Sequence, residues 1–145
     1  MGERVEDLPG GPSEEKWKRL AAARLQSARD DLLRDFVILG RADHAFRSMA
    51  RIAQERGIRL LVVNVPTHPT FDRSHKAGEY ETYMESMART CDELGVAWQD
   101  LNVPPWRSPD CDLWRDMDHM NRRGALRLSR LLGSGVLPPH LPPSR

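Results

Sequence analysis

Cysteine is scarce: Cys91 and Cys111 are the only two in 145 residues. One pair makes neither the disulfide framework of a small secreted domain nor a four-ligand zinc site. An excess of one charge is missing too. The 22 Lys and Arg residues stand against 21 Asp and Glu, a formal net charge of +1. That argues against the clustered basic excess with which nucleic-acid modules displace counterions, and no nucleic-acid partner is expected. No apolar run approaches the roughly 20 residues that span a bilayer, so no transmembrane segment is expected. The run Leu60–Val63 is at most a buried strand. The opening Met-Gly-Glu-Arg-Val-Glu-Asp lacks the apolar stretch of a signal peptide, which makes the cytoplasm the default compartment. Hydrophobic residues are 39% and mean hydropathy is −0.60, low for a globular domain but above the disordered class.

Proline collects at the ends. Six of the 11 prolines lie in residues 1–13 and 137–145. A flexible N-terminal tail (1–13) and a Pro-rich C-terminal tail (137–145) are therefore expected around one domain at 14–136. Ser13 predicts a helix N-cap, with Glu14 and Glu15 in the first turn. Trp17, Ala21, Leu25, Ala28 and Leu32 follow at helical spacing. The segment Phe36-Val37-Ile38-Leu39 reads as a short strand or an apolar turn. A second helix is expected over 43–56, with Phe46, Met49, Ala50 and Ala53 on one face and Gly57 as its C-cap. The third, over 78–94, lines up Tyr80, Tyr83, Met84, Met87, Ala88, Cys91 and Leu94 before Gly95. The last starts near Asn121 and runs to about Leu132.

Between these helices lie Ile58–Val65, a β-branched run without clean alternation, and Val96–Leu101. Burial on both faces of a parallel sheet explains the first pattern. Helix and strand alternating between glycine caps predicts two adjacent parallel strands. Chemistry in such sheets sits beyond the carboxyl ends of the strands. Here those ends are the loops 64–77 and 100–120, which hold His68, His75, Asn102, Asp110, Asp112, Asp116, Asp118 and His119.

The sharpest local signal is Asp116-Met117-Asp118-His119 leading into Asn121 and Gly124. Two residues between a carboxylate and an imidazole let the acid reach one ring nitrogen while the other points outward. A carboxylate so placed fixes the tautomer and stabilises the imidazolium, making the histidine a competent general base. Asp118 competes with Asp116 for that role. Asn121 can N-cap the last helix, and Gly124 lets that helix pack closely on the sheet. The acidic loop lacks the glycine and terminal glutamate of a calcium loop, so a solvated loop is the plainer reading, and neither metal nor cofactor is expected. His68 and His75 read as surface or capping residues, with pocket lining as the alternative. Arg122, Arg123, Arg127 and Arg130 read as a solvated helix face. Trp98, Trp106 and Trp114 read as core, with a sugar-stacking wall as the alternative.

The block Asp116-x-x-His119-x-Asn121-x-x-Gly124 resembles the C-terminal block of the SGNH (GDSL-type) hydrolase superfamily, in which Asp-x-x-His supplies the triad acid and base. The order before it is similar as well: a strand ending in Val65-Pro66-Thr67-His68-Pro69, an amphipathic helix, then a strand ending in Asp100-Leu101. The resemblance covers roughly residues 43–133 and is closest to the branch linked to acyl transfer or ester hydrolysis on cell-envelope polysaccharides. It implies an α/β, flavodoxin-like three-layer fold with a parallel sheet, represented here by its C-terminal part. It also implies Asp116 and His119 as the acid–base pair, and a small-molecule or carbohydrate ester as substrate.

Two departures accompany the likeness. The family's early Gly-Asp-Ser-like turn has no counterpart, because Ser13, Ser27 and Ser48 all fall in helix-start or helical contexts. Its Gly-x-Asn-Asp block is echoed only by Gly40-Arg41-Ala42-Asp43, where Ala42 has no side-chain donor. The chain alone is expected to be inactive or nearly so, the alternative being a non-catalytic remnant or interaction module. An open sheet edge is expected to drive self-association or pairing with a partner chain, or to leave the chain marginally stable.

Overall fold

The computed structural model describes residues 8–32 and 40–136. The segment Phe36–Leu39, the side chain of Leu32 and the tails 1–7 and 137–145 lie outside the described residues. The chain is mixed α/β and mostly helical, with a small two-stranded parallel sheet. In order come α1 (Glu14–Ser27, continued by a π-helical turn Ala28–Leu32), α2 (Arg41–Glu55), β1 (Leu61–Asn64), α3 (Glu79–Glu93), β2 (Ala97–Asp100) and α4 (Arg122–Leu131). Single 3-10 turns, Pro69–Ser74 and Cys111–Leu113, punctuate the loops after the strands.

The helices start and stop where local chemistry directs. The Ser13 hydroxyl accepts the Lys16 N–H at the start of α1, and Asn121 Oδ1 accepts the Gly124 N–H at the start of α4. Gly57 and Gly95 follow α2 and α3 with φ of 65° and 63°, the left-handed cap that a side chain disfavours. From there the chain turns directly into each strand. Both strands are shorter than their apolar runs, and they pair in parallel with Val62 opposite Trp98 and Asn64 opposite Asp100.

Two cores result. Ala50 of α2, Met87 and Cys91 of α3, and Leu60, Val62, Val96 and Trp98 from the strands and their approaches form one. Leu61, Val63, Ala97 and Gln99, which point to the opposite face, join neither core and are half-buried. Burial of the strands on both faces is thus only partial. The second core joins α1 to the loop after β2: Trp17, Ala21 and Ala28 pack on Leu113, Trp114 and Met117.

Several expectations are corrected by this packing. On α3, Ala88 is exposed, while Ser86 and Thr90 are buried, and Thr90 Oγ1 accepts from Arg47 of α2. Met49 of α2 is half exposed. Gly124 does permit a close approach, but to the Leu113 carbonyl in the 110–114 turn rather than to the sheet. Arg123 is no solvated residue, since it pairs with Asp112 and donates to the Leu8 carbonyl. Residues 8–12, read as part of a tail, are irregular yet tied down. Leu8 is buried, and the Gly11 N–H donates to the Asp112 carbonyl. No helix among the described residues is long and apolar enough to cross a membrane.

Candidate functional site

The loop that carries the acid–base candidates is held from three sides. Trp114 and Met117 are wholly buried and act as its anchors in the second core. The Trp114 indole N–H donates to the Ser108 carbonyl, and Trp114 bridges to Met120 across the loop. From the β1 side, the His68 backbone N–H donates to the Met117 carbonyl at 2.9 Å. From the α4 side, Asn121 Nδ2 donates to the Asp112 carbonyl at 2.7 Å. Asp116, Asp118 and His119 therefore project from a fixed turn rather than from a free loop.

Within that turn, His119 Nδ1 lies 2.8 Å from Asp116 Oδ1, and the same oxygen accepts the His119 backbone N–H at 2.8 Å. A carboxylate accepts only, so Nδ1 carries a proton, and in the neutral ring Nε2 then holds the lone pair. Nε2 has no partner among the described residues, and the His119 side chain is 49% exposed. This is the arrangement in which an imidazole can take a proton from an incoming nucleophile. Asp118 Oδ1 stands at 3.3 Å from the same Nδ1, so the ring faces two carboxylates, the nearer being Asp116.

Asp118 has a second commitment. Arg24 of α1 grips it with Nε to Oδ1 at 3.1 Å and Nη2 to Oδ2 at 2.7 Å, a fork that matches a carboxylate. Burial alone raises the Asp118 carboxyl, but the Arg24 hydrogen bonds and charge, with the nearby His119, outweigh it and hold the carboxyl below its usual range. The sequence reading missed Arg24. Its signal is a lone arginine three residues after Ala21 on the apolar stripe of α1, a place where only a paired charge can sit. Asp116, Asp118 and His119 come within 4.8 Å of one another, but both Asp118 oxygens already accept from Arg24.

The other candidates are dispersed. His68 is buried rather than on the surface. Its Nδ1 accepts the Thr70 N–H, capping the 3-10 turn, and its Nε2–H donates to the Pro109 carbonyl at 3.1 Å. Trp17 and Trp114 flank its ring. Burial, with Arg107 adding to it, pushes the His68 imidazole below its usual range in spite of the Pro109 hydrogen bond. His75 lines a separate cavity, and Asp110 caps the Cys111–Leu113 turn. Among the described residues, no serine, threonine or cysteine side chain hydrogen-bonds the His119 ring. No family model, curated protein or solved structure matches this chain.

Two of the shifted groups, His68 and Asp118, make the fold less stable in acid. His68 is depressed on folding, so its contribution is complete above the ordinary histidine value and falls away as pH drops through the folded one. Asp118, also depressed, contributes fully above the ordinary carboxylate range and is lost as pH falls through its lowered value. The expected result is a thermal midpoint that declines in two stages on acidification, first below about pH 6.5 and again below about pH 4. Asp118→Asn should flatten the lower stage and cost about 2 kcal/mol at neutral pH. Denaturation curves across pH check both, and a lower limb unchanged in Asp118→Asn would remove Asp118 as its source.

Proposed function

We propose that this chain is the C-terminal portion of an SGNH-type domain that hydrolyses or transfers an ester-linked acyl group, with a flavodoxin-like three-layer fold when complete. The observation that carries the reading is the 2.8 Å contact between His119 Nδ1 and the Asp116 carboxylate, with Nε2 left free at the surface. His119 takes the proton of an attacking hydroxyl at Nε2 and returns it to the leaving alkoxide. Asp116 stabilises the imidazolium between those steps. The substrate class is a small-molecule or carbohydrate ester. The nucleophilic serine and the oxyanion donors come from outside the described residues.

A second reading is a non-catalytic remnant or interaction module. It is favoured by the lack of any described hydroxyl on the His119 ring. Turnover of a small aryl acetate separates the two, measured for the chain alone and for the chain joined to the coding sequence directly upstream. The chain alone should show little or none. The joined form should turn over, and His119→Ala should remove several orders of magnitude of that rate. Equal, negligible rates in both forms favour the remnant. Robust turnover by the chain alone, abolished by His119→Ala, would place the nucleophile within it.

A further inference from the structure

Two exposed flanks on opposite sides of the α2–α3 layer complement one another. Both helices end at the amino edge of the sheet, α2 leading through Gly57 into β1 and α3 through Gly95 into β2, so they run in the same direction. Arg47 joins them by donating to Glu93 and Thr90, and Gln54 by donating to the Leu94 carbonyl. A helix turns by about 100° per residue. Arg41, Ala45, Met49, Ile52 and Arg56 therefore form a stripe on the flank of α2 turned away from α3. Glu81, Glu85, Ala88 and Asp92 form a stripe on the flank of α3 turned away from α2.

All nine residues are exposed. The α2 stripe has a guanidinium at each end, no acid, and two large apolar side chains between, Met49 and Ile52, each half open to solvent. The α3 stripe sets three carboxylates around the methyl group of Ala88 and holds no base. Among the described residues, none of these five charged side chains has an ion-pair or hydrogen-bond partner, whereas Arg47, Asp43 and Glu93 on the inner flanks are paired. Because α3 packs on β2 and α2 leads directly into β1, the basic stripe stands on the β1 side and the acidic stripe on the β2 side. The outer edge of each strand pairs with no further strand among the described residues.

We propose that a second copy of this chain is the partner of both flanks, α2 of one copy packing side by side on α3 of the next. Charge selects this mode. Setting α2 on α2 brings guanidinium against guanidinium, and α3 on α3 brings carboxylate against carboxylate; α2 on α3 alone joins opposite signs. Both helices have 15 residues. With their first residues level, Arg41 falls beside Glu81, Met49 beside the small Ala88, and Arg56 beside Asp92. The same placement turns the open edge of β1 toward the open edge of β2 in the next copy, with all strands running one way. A contact between two different surfaces leaves one of each free on the pair, so the assembly grows further or closes as a ring. This association is independent of the chemistry assigned to His119.

Sedimentation velocity of the full chain tests it. Two flanks of this size make a weak contact, with a dissociation constant on the order of 100 µM. In low salt the weight-average sedimentation coefficient should climb with concentration up to about 1 mM and pass the value of a dimer, and about 0.5 M sodium chloride should at least halve the climb. Arg41→Glu with Arg56→Glu, and separately Glu81→Lys with Asp92→Lys, should each abolish the climb. An equimolar mixture of the two double variants should associate again, because each offers the other an opposite charge. The concentration and salt series on the unsubstituted chain tests the contact even if a variant fails to fold. A chain that stays monomeric, growth that stops at a dimer, a climb indifferent to salt or to either double variant, or no recovery in a mixture of folded variants would each overturn the proposal.

Discussion

Trp114→Ala should leave the chain without a cooperative thermal transition at room temperature. The indole is wholly buried, and Leu113 and Met117 beside it close the core against Trp17, Ala21 and Ala28 of α1. Truncating a buried tryptophan costs about 3–5 kcal/mol, against a total stability of roughly 5–15 kcal/mol for a native domain. With its strands only half-buried and Ile58, Val65, Met49 and Ile52 exposed, this chain is expected to sit low in that range. The loss also reaches the candidate site. Trp114 carries the bridge to Met120 and an edge contact with His68, the residue that ties the loop to the β1 side. Trp98→Ala is the comparison, since Trp98 is half-buried in the other core and should cost less. Circular dichroism melts of the two variants check the order. A Trp114→Ala melt like that of the unsubstituted chain would show that α1 does not depend on the loop.

What could be read from the sequence was whatever depends on neighbours along the chain. Ser13, Asn121, Gly57 and Gly95 act within a helical turn of themselves, and their roles follow from residue chemistry alone. Asp116 and His119 belong to the same class, because two intervening residues bring acid and imidazole together without help from the rest of the fold. The parallel pairing of β1 with β2 follows from the single helix between them. Contacts across the fold were another matter. Arg24 meets Asp118 over a separation of 94 residues, and Leu8 meets Arg123 over 115. Leu8 and Arg123 have no local pattern that differs from a tail and a solvated charge, while the place of Arg24 on the apolar stripe of α1 calls for a partner without naming Asp118. His68 was open to a surface reading for the same reason: the tryptophans that bury it come from α1 and from the far loop. The buried side of α3 was misjudged where a hydrogen bond outweighed hydropathy. Thr90 turns inward to meet Arg47, and Ala88, apolar but with no partner to meet, turns out.

Gly124 and Gly133 should respond to the same substitution with opposite signs. Gly124 sits in the first turn of α4, against the Cys111–Leu113 turn. A Cβ there overlaps the Leu113 carbonyl oxygen and crowds Met120 Cβ at 3.2 Å. The obstructing atom is backbone, so nothing can rotate aside and α4 has to move. Moving it strains Asn121, which caps α4 through the Gly124 N–H while its own backbone N–H donates to that same Leu113 carbonyl. Gly124→Ala should therefore destabilise by about 1–3 kcal/mol, and more if the cap is lost with it. At Gly133, beyond the end of α4, a Cβ meets nothing within 4 Å. Its backbone lies in a helical turn, so alanine is tolerated there and restricts the unfolded chain more than glycine does. Gly133→Ala should be neutral or stabilising by up to about 1 kcal/mol. Urea denaturation of the two variants side by side tests the contrast. Two equal gains would mean that Gly124, like Gly133, acts through helix propensity alone. The close approach of α4 to the 111–113 turn, and with it the fixed position of the Asp116–His119 pair, would then lose its support.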